Sequence, residues 1–88
     1  MGKIKMDVKY IIVDEAYPII FSPAMKHSDF LEMYPREKIT SAAFCSLRVN
    51  RTEILRIRTY GRSVSLDRGQ NPNDRMLLEL LLKDMKGD

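Results

Sequence analysis

From Ile39 onward the chain alternates with a period of two. Ala43, Cys45, Leu47 and Val49 hold one set of positions, with Phe44, Ser46 and Arg48 between them, as in a strand with one buried and one wet face. The alternation resumes with Leu55, Ile57 and Thr59 against Ile54, Arg56, Arg58 and Tyr60, then Val64 and Leu66 against Ser63 and Ser65. A two-residue turn at Tyr60-Gly61 pairs Ile57 with Val64 and Leu55 with Leu66. A three-residue loop from Asn50 to Thr52 pairs Cys45 with Leu55 and Ala43 with Ile57. Both choices keep one face of a three-stranded meander apolar, which is the requirement that sets register. Upstream, residues 7–13 are β-branched and aromatic, Asp14 to Tyr17 is a turn, and Pro18 to Ser22 is a second short strand. An N-terminal hairpin is therefore expected. Between Ser22 and Lys38 a turn at Ser22-Pro23 and a short helix after Ser28-Asp29, ended by Pro35, complete the reading.

The period changes at Asn71. Asn71 suits an N-cap, Pro72 the first helical position, Asp74 the first turn and Gly87 the C-terminal stop. Arg75, Glu79, Lys83 and Lys86 fall on one narrow polar stripe, whereas Met76, Leu77, Leu78, Leu80, Leu81, Leu82 and Met85 cover most of the remaining surface. At about 100° per residue that apolar arc spans roughly 240°, twice what a helix resting on one sheet buries. Two seams are predicted. Leu77, Leu80 and Leu81 meet the sheet; Leu78, Leu82 and Met85 meet a second copy of the chain. The fold class is α+β, one domain over residues 1–88: an antiparallel sheet of four to five strands (N-terminal hairpin plus three-stranded meander) with the C-terminal helix packed on one face.

Length and composition agree with this. Eighty-eight residues, 44% hydrophobic and 31% charged, give one modest core, and oligomerisation is a natural source of added stability. A single cysteine, Cys45, excludes an internal disulfide and suits a reducing compartment. No run reaches the roughly 20 apolar residues of a membrane span, and no apolar stretch follows MGKIKM as a secretory signal requires. A cytoplasmic protein without membrane contact is expected.

Charge adds the one pointed feature. Residues 48–68 hold six arginines against Glu53 and Asp67, a local excess of four positive charges in a chain of net charge +3. The wet face of the meander collects Arg48, Arg56 and Arg58, and the adjoining strand supplies Arg62, Ser63 and Ser65; together these are the candidate nucleic-acid or phosphate site. Arginine forks take phosphate in bidentate fashion. Single-stranded nucleic acid is held on sheets by such groups beside stacking aromatics, here Phe44 or Tyr60. The plain counter-reading is that a sheet with one wet face shows Arg and Ser to water whether or not it binds anything.

Other chemistry finds little support. His27 and Cys45 form the one conceivable thiol–imidazole pair, but Cys45 belongs to the apolar set, where a thiol packs rather than reacts. One His and one Cys cannot build a structural zinc site, and the acids lack calcium-loop spacing. The loop Ser65 to Pro72 carries neither GxxxxGK[ST] nor GxGxxG. No catalytic residue, metal or cofactor is expected. The sequence points first to a small non-catalytic interaction module that binds a protein partner, as a homodimer, and alternatively to a nucleic-acid or phosphate binder using the arginine/serine face.

Overall fold

The computed structural model describes residues 4–50 and 54–86, and of 54, 55 and 84–86 the backbone only. Strand β1 (Ile4–Val13) turns through Asp14 and Glu15, both in the left-handed region at φ 54° and 60°, into β2 (Tyr17–Phe21). Two 3-10 segments follow, His27–Glu32 and Arg36–Lys38. The Asp29 carboxylate accepts the Lys26 amide at 3.0 Å and so starts the first of them. Then come β3 (Ile39–Val49), β4 (Ile54–Tyr60), the short β5 (Arg62–Ser63) and β6 (Arg68–Gly69), and the helix α1 (Asp74–Lys86).

One antiparallel sheet runs β2-β1-β3-β4. The long β1–β3 ladder, from Ile4 opposite Val49 to Val13 opposite Ile39, makes the N-terminal strand central. Helix α1 lies across one face, where Tyr10, Ile12, Cys45, Leu47, Ile57 and Leu78 form a buried core. This is the expected α+β architecture. On the opposite face a second core of Ile11, Val13, Phe21, Phe30, Ile39 and Leu66 fills the end covered by the first 3-10 segment and the β5–β6 hairpin. Burial on both faces accounts for the unbroken apolar run Tyr10 to Val13.

Three expectations are corrected. Arg62 and Ser63 do not extend the meander; they pair with Gly69 and Arg68 in a separate two-stranded sheet. The Ser63 hydroxyl accepts the Leu66 amide, Asp67 sits at φ 52°, and Val64 is 85% exposed, so the segment is a turn and not a strand. Between β3 and β4 the register is Leu47 opposite Ile57 and Cys45 opposite Thr59, with a bulge between Arg48 and Val49. The proposed pairing of Cys45 with Leu55 is therefore wrong, and most of the Asn50–Thr52 loop lies outside the described residues.

The helix also begins later than its signals imply. The amide of Asp74 bonds the Asn71 carbonyl at 3.1 Å, and the first helical bond is Leu77 N–H to Asn73 carbonyl. Asn71 spends its side-chain amide on the Thr40 carbonyl and the Ser41 hydroxyl. The capping group is the Asp74 carboxylate, which accepts the Asn71 amide at 2.9 Å. Leu78, assigned to the partner seam, is fully buried against the sheet. Leu82 is partly buried at the same core, and the Met85 side chain lies outside the described residues. Among the described residues the exposed apolar side chains of the helix are Met76 and Leu80, each 54% accessible. Among the described residues no helix is long and apolar enough to cross a membrane.

Candidate functional site

Strand alternation puts Lys5, Asp7 and Lys9 of β1 on the face turned away from α1, beside Phe44, Ser46 and Arg48 of β3 and Arg56, Arg58 and Tyr60 of β4. Register sorts them into rows. Lys9, Phe44 and Tyr60 form the first, Asp7, Ser46 and Arg58 the second, and Lys5, Arg48 and Arg56 the third. Across the face the rows change from an aromatic pair beside Lys9, through mixed polar, to wholly cationic.

Lys5, Ser46, Arg48, Arg56 and Arg58 line an open depression of about 80 Å³. Pockets for drug-sized ligands run to roughly 300–1,000 Å³, so this one matches a phosphate or carboxylate group rather than a whole small molecule. Among the described residues none of its four cations meets a carboxylate at ion-pair distance; the surface pairs are Lys38–Asp14, Arg62–Asp67 and Arg75–Glu79. Like charges directly opposite across a ladder destabilise it, and Lys5, Arg48 and Arg56 are three in a row. The third row therefore opposes folding and favours any anion that enters it.

At the first row the chemistry differs. Phe44 and Tyr60 stack with ring centroids 5.6 Å apart and planes 20° apart. The Lys9 ammonium lies 5.9 Å from the centre of Phe44 and donates to the Met25 carbonyl at 2.7 Å. The Tyr60 hydroxyl donates to Asp7 at 3.2 Å. Desolvation and that neighbouring carboxylate hold the phenol above its ordinary pKa, so it remains a neutral ring with a fixed hydroxyl. Gly61 makes this packing possible: it sits at φ +70°, and a Cβ there would stand 2.9 Å from Phe44 Cδ2.

Of the six residues read from the sequence as the anion site, Arg48, Arg56 and Arg58 are brought together. Arg62, Ser63 and Ser65 are not. Arg62 pairs with Asp67, Ser63 is buried in its turn, and the two serine hydroxyls face each other at 3.4 Å. The depression adds Ser46, which alternation already sets on the wet face beside Arg48, and Lys5 of β1, which the sequence reading leaves out although Lys5, Asp7 and Lys9 alternate with Ile4, Met6 and Val8.

The thiol and imidazole do not form a pair. Cys45 packs in the core under α1, while His27 stands on the other side of the sheet, edge-on to Phe21 and Phe44. Burial pushes the Cys45 thiol up to about 11, far from the thiolate that nucleophilic chemistry requires. His27 is buried with Nε2 2.9 Å from the Ala43 carbonyl.

No family model, curated protein or solved structure matches this chain.

Proposed function

We propose that the protein is a non-catalytic binding module whose basic sheet face takes the phosphates of a nucleic acid. The observation that carries this reading is the cross-strand row Lys5–Arg48–Arg56, with Arg58 beside it and no carboxylate partner among the described residues. A self-repelling row is costly to keep on a small domain, and a phosphate supplies the missing counter-charge through bidentate guanidinium contacts. Binding through such contacts releases counterions, so affinity falls steeply with salt. The test is a salt titration of binding to a fluorescent oligonucleotide by anisotropy. Arg56→Ala with Arg58→Ala is expected to abolish binding at moderate salt with thermal stability retained. Binding unchanged by this double substitution overturns the reading.

A second reading, a module that acts by protein contact and self-association, is favoured by Met76 and Leu80, one helical turn apart and both half-exposed. It replaces the expected seam of Leu78, Leu82 and Met85. Size-exclusion chromatography with light scattering tests it. Leu80→Glu converts a dimer formed through this stripe into a folded monomer, whereas a monomer at high concentration in the parent chain removes the reading.

A further inference from the structure

We infer that the ligand is single-stranded nucleic acid laid along β4, with one base stacked on Tyr60 and the following phosphates on Arg58 and then on the Lys5–Arg48–Arg56 row. The inference rests on the phosphate-binding reading above and adds the ligand's strandedness, its path and a base-contacting residue.

Tyr60, Arg58 and Arg56 are alternate residues of one strand, so they face the same way at intervals of roughly 7 Å, and the first and third rows are about 13 Å apart. Two of the three are backed by a cross-strand neighbour of matching character, Phe44 beside Tyr60 and Arg48 beside Arg56, and Arg58 has the Ser46 hydroxyl beside it. A ligand following β4 therefore meets an aromatic platform first and cations next. That is the order in which a nucleotide presents a base and then its phosphate.

The platform is built for an incoming ring. Phe44 is engaged by Tyr60, by the edge of His27 at 5.5 Å and by the Lys9 ammonium. Tyr60 is the accessible member, 37% exposed, and its hydroxyl is tied to Asp7, which holds the ring in place before anything binds. β4 is the last strand of its sheet, so a base over Tyr60 has open space beyond the edge.

The cationic depression is phosphate-sized, so a base has no place in it and belongs at the Tyr60 end. A duplex keeps the faces of its bases inside its own stack, and only an unpaired base offers a face to an aromatic side chain. An acidic peptide would satisfy the arginines yet leave the Phe44–Tyr60 platform without a role.

The experiment compares four probes by anisotropy or co-sedimentation: a labelled oligothymidylate of about ten nucleotides, a hairpin duplex of similar charge, heparin and anionic phospholipid vesicles. The oligothymidylate is expected to bind tightest, with a log–log salt slope near −3 for four cations. Tyr60→Ala is expected to weaken it by roughly tenfold or more, leaving heparin affinity and the salt slope in place, while Tyr60→Phe restores most of the loss. Equal or tighter binding of the duplex or the vesicles overturns the inference, as does a Tyr60→Ala loss that is the same for heparin. Failure of both oligothymidylate and heparin to bind at low salt would instead remove the phosphate-binding reading itself.

Discussion

The hydroxyl of Tyr10 donates a 2.6 Å hydrogen bond to Oδ2 of Asp74, joining the middle of β1 to the first turn of α1. The other oxygen of the carboxylate accepts the Ser41 hydroxyl at 2.9 Å, and Oδ2 also takes the Asn71 amide. Burial, and then the bond to Asp74, raise the Tyr10 phenol far above its ordinary pKa, so it stays a donor throughout the useful pH range. Asp74→Ala strands two buried hydroxyls and removes the negative charge from the helix start. A loss of about 3 kcal/mol in urea denaturation is expected, and Tyr10→Phe should cost about half as much. Wild-type stability in Asp74→Ala would show that the network does not hold the helix.

Arg48 and Arg56 set stability against binding. Replacing Arg56 by Glu turns a repulsive cross-strand pair into an attractive one. The thermal midpoint should rise by the equivalent of roughly 0.2–1 kcal/mol at low salt, with the gain shrinking as salt is added. Oligonucleotide affinity should collapse in the same variant. A fall in stability would mean that Arg56 is a structural residue.

At Gly61 the prediction joins backbone to site. Alanine there must hold φ near +70° and displace the Phe44 ring, a combined cost of about 1–2 kcal/mol. Because Phe44 supports Tyr60, the same change should weaken oligothymidylate binding more than heparin binding. Equal weakening of both would place the effect in general loosening of the fold.

His27 makes stability depend on pH. Burial lowers its pKa; the bond to the Ala43 carbonyl works in the opposite direction without overcoming burial, and Lys9 adds to the lowering. The unfolded imidazole therefore takes up its proton first. Its contribution is complete above the ordinary value of about 6.5, declines as pH falls below that, and is fully lost once pH passes the lowered folded value. Urea midpoints measured at about pH 7.5 and 5.5 should differ more for the parent chain than for His27→Leu. Identical pH dependence in the two proteins would exclude His27 as the cause.

Much of this was legible from alternation, because which face a strand residue takes depends only on odd or even position. Arg48, Arg56 and Arg58 were placed together for that reason, and a register error between β3 and β4 did not separate them, since the displacement was by an even number of residues. Alternation sets Lys5 on one face of β1 with Asp7 and Lys9, but nothing local chooses β3 as the neighbouring strand, because that pairing joins segments far apart in sequence. Val64 and Leu66 mimicked a strand through simple alternation, and the Ser63 hydroxyl that closes the turn instead is one contact among many serine could make. Leu78 was misplaced because a helix apolar on most of its circumference identifies its wet stripe but not which of its apolar sides meets the sheet.

The turn at Gly61 leaves the outer backbone of β4 with no strand beside it among the described residues. A seven-residue strand thus ends the sheet, the arrangement on which identical chains can stack into continuous sheets. Arg56 and Arg58 guard that edge, since two copies approaching there bring guanidinium against guanidinium. On the phosphate-binding reading proposed above, a polyanion that neutralises these charges would lift the guard and couple occupancy of the face to propagation of the sheet from one molecule to the next.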